Sequence, residues 1–172
     1  MSNDLTVHPE PRRVIIKQLA AMNRWKKDAA ALENNRVRLH LAVFTEPYAS
    51  LILSGDKTVE SRFSCVKCAP YDRVSHGDLV LIKESGGPVI GIFKVGGVWY
   101  YEIDDSSWGE IRERFAEAIC PQGSSFWSDR SSAQYATLMK VQKPDRLKPV
   151  TWPKRDRRGW VVIPNTSQGL FE

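Results

Sequence analysis

The chain has 172 residues, of which 42% are hydrophobic and 26% are charged, the length and composition of one ordinary globular domain. No apolar run approaches the ~20 residues of a membrane span, and the N-terminus has no secretion-signal pattern, so we expect a cytoplasmic protein with no membrane partner. The three cysteines are an odd number, which excludes a complete disulfide framework and suits a reducing compartment.

The net charge of +5 is concentrated at the two ends of the chain. Residues 1–39 carry eight Lys and Arg against four Asp and Glu, and residues 140–158 carry eight against two. Residues 40–139 carry nine against thirteen, so the central part is mildly acidic. This distribution excludes a protein that is basic over its whole surface and leaves the ends as the places for contact with anions.

Residues 1–37 are predicted to form an N-terminal extension that is largely helical. Apolar residues recur there at helical spacing from Val14 to Ala29, and Asn34 and Asn35 mark the end of the helix. Such a face packs against the rest of the chain or forms a dimer contact, and the sequence leaves both alternatives and the oligomeric state open.

The main domain is predicted to span residues 38–164, followed by a C-terminal tail at 165–172. Alternating residues at 39–44 predict a strand, and a short helix after Pro47 ends at Gly55, a residue suited to a left-handed cap. Strands are predicted at Asp78–Glu84 and Pro88–Tyr101, joined by a turn at 85–87.

A second helix is predicted at Trp108–Ile119, with Ser107 and Glu110 as a capping box. Alternation from Tyr135 to Val141 predicts another strand, a Lys/Pro-rich linker follows, and Gly159–Ile163 reads as the last strand. Short strands with inserted helices and no regular βαβ alternation predict an α+β fold, a small, partly open β-barrel with two or three flanking helices.

The segment from Lys57 to Phe63 carries the clearest chemistry. In a regular strand its period of two places Thr58, Glu60 and Arg62 on one face. A carboxylate and a guanidinium on one face present an acceptor and several donors to a planar polar ligand. The alternative is an exposed ion pair that contributes ~0–1 kcal/mol.

The wider string from Pro47 to Arg62 resembles the ASCH family of PUA-like domains. An apolar strand, a Pro-aromatic-Ala helix start and Gly-x-Lys-x-x-Glu-x-Arg follow one another in that family, and Gly55, Lys57, Glu60 and Arg62 occupy the specified positions. The resemblance implies a β-barrel related to RNA-binding PUA domains, with a cleft between the barrel and its helices. It also implies that the ligand is RNA or a modified nucleobase or nucleotide, bound without a cofactor.

Some bacterial relatives look like hydrolases of RNA or of N-acylated cytidine, with a lysine at the position of Lys57 as base or nucleophile. The resemblance therefore leaves a ribonuclease or nucleoside amidohydrolase as the alternative function. In the cytidine hydrolases a threonine stands where this chain has Glu60. They also use a carboxylate from the later helix, for which Glu117 is the preferred match. A solvated helix face that includes Glu110 and Glu113 is the alternative reading of Glu117.

The candidate residues therefore fall into three groups. The catalytic candidates are Lys57, Glu60 and Glu117. The candidates for ligand binding lie in or near the Gly-x-Lys-x-x-Glu-x-Arg motif, or carry an aromatic ring in a loop. They are Tyr48, Lys57, Thr58, Glu60, Arg62 and Trp127. The candidates for phosphate contact come from the basic run near the C-terminus, and they are Lys154, Arg155, Arg157 and Arg158.

Metal binding is not predicted. Cys65 and Cys68 have the spacing of half a zinc site, with His76 and Cys120 elsewhere in the chain, but a zinc site of this kind needs four ligands at matched spacings. Two incidental thiols in a loop are the simpler interpretation of the single CxxC.

Overall fold

A computed structural model describes residues 9–153 and 157–165. The helices are α1 (Pro9–Ala21), α2 (Lys26–Glu33), α3 (Tyr48–Ser54) and α4 (Asp105–Ile119), with a short 3-10 helix at Ser128–Arg130. The strands are β1 (Leu39–Phe44), β2 (Val59–Ser64), β3 (Leu79–Glu84), β4 (Val89–Glu102), β5 (Tyr135–Val150) and β6 (Trp160–Ile163).

The six strands form one sheet in the order β2-β5-β4-β3-β1-β6. β1 and β3 are parallel and the other neighbours are antiparallel, and the long strands β4 and β5 carry register shifts that curve the sheet into a half-barrel. The predicted α+β fold with a partly open barrel is confirmed. The domain boundaries at 37/38 and 164/165 stay predictions.

The N-terminal helical region is broken into two helices, whereas one continuous helix was predicted. α1 ends at Ala21, and the chain turns before α2 begins at Lys26. The break lets Trp25 enter the core, where it is fully buried and its indole Nε1 donates to Asp145 at 3.0 Å. The apolar faces of both helices pack with the barrel in one core cluster, although Val14 is 41% exposed, and a dimer contact through this region stays a prediction.

The beginning of α4 differs from the prediction. Asp104 caps the helix, accepting from the backbone N–H of Ser107 at 2.8 Å while its own N–H donates to the Ser107 hydroxyl at 2.7 Å. The predicted box of Ser107 and Glu110 is therefore wrong, because Ser107 is the third residue of the helix and not its cap. Asp104, which lies one turn earlier and has an extended backbone, presents a carboxylate that is an equally good acceptor for the free N–H groups at the start of the helix.

β5 continues to Val150, through the segment predicted as a linker. Residues 142–150 pair with β4 despite Pro144 and Pro149 and the positive φ of Lys143, because the long partner strand supplies hydrogen-bonding groups that local propensity does not register. The strand therefore extends the sheet where the sequence pattern is weakest.

Asp28 fastens α2 to the barrel. Its carboxylate is 8% exposed and lies 2.8 Å from the ammonium of Lys94 on β4 and 2.7 Å from that of Lys143 on β5. Lys143 also lies 4.1 Å above the ring of Trp25. Burial raises the pKa of Asp28, but hydrogen bonds from Lys143 and Lys94 outweigh burial and hold that pKa below its ordinary value.

Asp28→Asn is expected to lower the free energy of unfolding by about 2 kcal/mol at neutral pH, because two partly buried ammonium groups lose their partner. The stabilisation by Asp28 is present above the unfolded pKa of ~3.9 and is lost as pH falls through the lowered folded value. Urea denaturation from pH 7 downward should therefore show the two proteins converging in strong acid. Asp72→Asn, in the exposed pair with Lys67, is the control. An equal effect of both substitutions would contradict the fastening role.

Candidate functional site

The turn after α3 directs Lys57 into the molecule. Gly55 adopts φ +87°, which ends the helix, and the backbone N–H of Lys57 donates to Leu51 at 2.9 Å. β2 begins only at Val59, so the alternation of side chains along the strand does not determine the direction of the Lys57 side chain. Its side chain is 2% exposed and lies on the same side as Glu60.

The carboxylate of Glu60 lies between two cations. One oxygen accepts from Arg62 Nε at 2.7 Å, and the other lies 3.5 Å from Lys57 Nζ. Glu60 is 3% exposed, and Lys57 also donates to the carbonyl of Ile119, at the end of α4, at 2.6 Å. A buried carboxylate of this kind depends on its partners, because an unpaired charge in the interior is costly.

Lys57 has a perturbed pKa with a clear physical cause. Burial is the largest influence and lowers the pKa of the ammonium below the ordinary value for lysine. The neighbouring Glu60 carboxylate raises it again, but only in part, and the positive charge of Arg62 lowers it further. Lys57 is therefore easier to deprotonate than a lysine in solvent.

Arg62 joins the charge cluster to two other strands. Its terminal nitrogens donate to Val43 on β1 at 3.1 Å and to Gly159, just before β6, at 3.2 Å. The guanidinium lies 4.8 Å from the ring centre of Phe44 and 5.3 Å from that of Trp160. The planar group is thus held by hydrogen bonds at its edge and by aromatic rings against its faces.

A cavity of about 210 Å³ opens in front of this cluster, and it is called the first cavity below. Its polar wall consists of Lys57, Glu60, Ser61 and Arg62. The remaining lining residues come from the end of β1, from α3, from β2 and from the loop before β5, and they are Val43, Phe44, Thr45, Tyr48, Phe63, Phe126 and Arg130. The cavity therefore offers aromatic faces beside a charged, hydrogen-bonding wall.

Tyr48 is fixed from both sides. Lys57 Nζ lies 5.4 Å from the centre of its ring, and its hydroxyl accepts from the backbone N–H of Gln122 at 3.1 Å. The Phe126 ring lies 6.3 Å from the Tyr48 ring and 3.7 Å from the guanidinium of Arg130. This side of the first cavity is thus a wall of supported aromatic rings.

The candidate ligand-binding residues are partly brought together. Tyr48, Lys57, Glu60 and Arg62 line the first cavity, whereas the exposed Thr58 is not part of its lining. The lining residue from the loop is Phe126 rather than Trp127. Trp127 packs against three other aromatic rings, those of Phe63, Trp108 and Phe126.

Among the described residues, the other sequence candidates do not line the first cavity. Glu117 is exposed on α4, as are Glu110 and Glu113, so Glu60 supplies the carboxylate of the cavity. Arg157 and Arg158 are exposed. Lys154 and Arg155 lie outside the described residues.

Sequence reasoning missed Phe126 and Arg130. The spacing of four residues between an aromatic and an arginine, followed by a strand, was the available signal, since such pairs lie together on one helical turn. It was obscured because the Gly/Ser-rich composition of residues 123–132 indicates a loop.

The described residues contain neither a cluster of metal ligands nor a helix that could span a membrane. Nowhere in residues 9–153 and 157–165 do three His, Cys, Asp or Glu side chains converge as metal ligands would, and Cys65 and Cys68 are exposed thiols. None of the helices in the same ranges has the length and apolarity that crossing a bilayer requires.

Comparison with known proteins gives a consistent result. The family model described as ASCH domain matches residues 43–145. The crystal structure of ASCH from Zymomonas mobilis is similar with a TM-score of 0.60 and 13% identity, over 76% of this chain and 90% of that one. The ASCH domain from Lactobacillus crispatus JV V101 is similar with a TM-score of 0.53 and 12% identity, over 80% and 96%. No curated protein matches the sequence.

The coupling between Glu60 and Arg62 can be measured with a double-mutant cycle. Arg62→Leu is expected to lower the free energy of unfolding by about 3 kcal/mol, because it leaves Glu60 buried with one distant partner. In the background of Glu60→Gln the same change should cost at least ~1 kcal/mol less. The matched control is the exposed pair of Glu110 and Arg114, 3.7 Å apart, whose coupling should stay below ~0.5 kcal/mol. Equal coupling in both pairs would contradict the buried cluster.

Proposed function

Because the chain belongs to the ASCH domain family, a family with a PUA-like fold generally linked to RNA binding, we propose that it binds RNA by taking one unstacked nucleobase into the first cavity. Single-stranded RNA is recognised in this way, by aromatic stacking on the base face and hydrogen bonds to the base edge. The observation that carries the proposal is the position of a charged, buried wall beside aromatic rings in one cavity.

The size of the first cavity favours a single base. About 210 Å³ corresponds to the space of roughly seven waters at ~30 Å³ each. A planar heterocycle with its exocyclic groups suits this space, whereas a duplex does not. Among the lining rings, those of Tyr48 and Phe63 are partly exposed and offer the apolar surface on which a base stacks, whereas Phe44 and Phe126 are buried behind the cavity wall.

The polar wall has hydrogen-bonding capacity left for a ligand. Each oxygen of Glu60 has two lone pairs, and Arg62 and Lys57 engage one on each. Each terminal nitrogen of Arg62 donates one hydrogen to a backbone carbonyl and keeps a second. Glu60 therefore accepts from an amino group of the base, and Arg62 donates to a ring nitrogen or carbonyl oxygen.

The basic end of the chain supports contact with the phosphates of the RNA. Arg157 and Arg158 are exposed next to Gly159, whose carbonyl accepts from Arg62. With Lys154 and Arg155 they form the run that the sequence singles out, and RNA binding through such a run weakens as salt rises. The function proposed is thus base recognition in the first cavity with electrostatic contact to the backbone.

Thr45→Trp tests the first cavity without removing a charge. Thr45 is exposed at the rim, and an indole there should block entry of a base and weaken binding of short single-stranded RNA about tenfold, the value of one stacked base at ~1.4 kcal/mol. The matched control is Thr58→Trp, at an exposed threonine outside the lining. Fluorescence anisotropy measures both. Equal binding by the two variants and the wild type would refute base entry here.

Hydrolysis is the second candidate function, and the lowered pKa of the buried Lys57 favours it. A neutral amine in a cavity acts as a general base or nucleophile, which an ordinary ammonium with a pKa of ~10.4 does not. Glu60 is near enough to exchange protons with Lys57 or a substrate. The substrates would be RNA or an N-acylated cytidine. The exposed position of Glu117 leaves Lys57 and Glu60 as the candidate catalytic residues.

A titration and a turnover assay together test hydrolysis. Lysine labelled with ¹³C at Cε should show Lys57 losing its proton at lower pH than a lysine side chain in solvent does. Any hydrolysis of RNA or of an N-acylated cytidine panel should rise with pH through that value and disappear in Lys57→Met. Wild-type protein that hydrolyses neither substrate, or a Lys57→Met variant as active as wild type, would exclude this candidate and leave RNA binding untouched.

A further inference from the structure

A second, larger cavity adjoins the first. Its volume is about 640 Å³, three times that of the first cavity, and part of its lining comes from β6 and the residues just before and after this strand. Its charged lining residues are Arg38, Arg73 and Arg158. Among the described residues that line it there is no Asp or Glu. The second cavity therefore presents concentrated positive charge to whatever enters it.

Asp78, the carboxylate that accepts from the backbone of Arg38, is engaged inside the protein. Asp78 is 4% exposed and accepts from His40 Nε2 at 2.9 Å and from the backbone N–H groups of Arg38 and Ser75 at 3.0 Å. The guanidinium of Arg38 donates to the backbone carbonyl of Arg73 at 2.7 Å, which holds two arginines at one edge of the cavity. Two arginines that line one cavity, with no carboxylate among its described lining residues, attract an oxyanion of high charge density.

The contacts of Arg62 join the first cavity to a wall of the second cavity that is formed by Gly159 and Trp160. Arg62, in the first cavity, donates to the carbonyl of Gly159, which lines the second. Trp160 also lines the second cavity, and its ring centre lies 5.3 Å from the guanidinium of Arg62. The indole N–H donates to His40 Nδ1 at 3.1 Å, so the wall is anchored in the core.

We propose that the second cavity binds the phosphodiester groups that flank the base held in the first cavity. This inference rests on the proposed RNA binding and adds to it a place for the backbone, with Arg38 and Arg73 as phosphate ligands. Guanidinium groups bind phosphate oxygens through two parallel hydrogen bonds, and phosphate contacts set the register of a strand without reading its sequence. An acidic peptide is the rival ligand, and the contacts of Arg62 with Gly159 and Trp160, which connect this cavity to the base-sized one, favour the nucleic acid.

The test compares Arg38→Gln/Arg73→Gln with the charge-matched control Arg13→Gln/Arg146→Gln, whose arginines are exposed and line neither cavity. Anisotropy of a labelled single-stranded RNA is measured over a range of chloride concentrations. Loss of two phosphate contacts should reduce the salt slope by about 1.4 and weaken binding about 25-fold at ~0.1 M salt, from a slope of ~0.7 per contact. The control should change both quantities much less. Thermal unfolding checks that all variants are folded.

The outcomes separate this inference from the proposed function. RNA binding that is weakened by Thr45→Trp but is equal in the two double variants would overturn the phosphate site and leave base recognition standing. A wild-type protein that does not bind RNA would overturn both. A poly-glutamate peptide that loses affinity in Arg38→Gln/Arg73→Gln, while RNA binding is unchanged, would assign the second cavity to an acidic protein segment instead. Cytidine without phosphate should bind wild type and the double variant equally.

Discussion

The buried carboxylate of Glu60, held between Lys57 and Arg62, is the interaction on which the site depends. Each cation makes a second contact with a different part of the fold. Lys57 donates to the end of α4, and Arg62 donates to β1 and to the residue before β6. One negative charge therefore links the flanking helix to β1, which lines the first cavity, and to the residue before β6. Removing either cation would leave that charge buried without full compensation.

The same cluster lines a small cavity and keeps hydrogen-bonding capacity that its internal partners do not use. An ion pair with only a structural role would be more stabilising if its partners satisfied all of each other's hydrogen-bonding groups, or if apolar side chains of similar volume replaced it. Here Glu60 and Arg62 retain capacity beside the rings of Tyr48 and Phe63, the combination by which unstacked bases are recognised. Burial lowers the pKa of Lys57 in the same place, so the proposed base recognition and the candidate hydrolysis involve the same residues.

Much of the barrel was predictable from local signals. The alternation of β1, the stop at Gly55 and the spacing of Lys57, Glu60 and Arg62 are short-range features, and Lys57, Glu60 and Arg62 line one cavity in the structure. The orientation of Lys57 was not predictable from strand alternation, because the turn at Gly55 and a hydrogen bond to Leu51 decide it. The break before Trp25 and the length of β5 depend on distant partners, Asp145 and β4, which periodicity does not register.

Local sequence patterns also could not decide which of two neighbouring aromatic residues lines the first cavity. Phe126 and Trp127 are adjacent in sequence, and which of them lines the first cavity is decided by packing against Phe63 and Trp108. Arg38 and Arg73 are unremarkable in the sequence and meet only because β1 and the segment before β3 are neighbours in the fold. Residues that act together from different elements thus become visible only with the tertiary structure.

The most direct test of base recognition in the first cavity is a crystal structure of the protein with a short single-stranded RNA. We expect one base inside the first cavity, with its ring against the aromatic wall and its edge on Glu60 and Arg62. RNA bound on another face, with the first cavity holding only water, would contradict it.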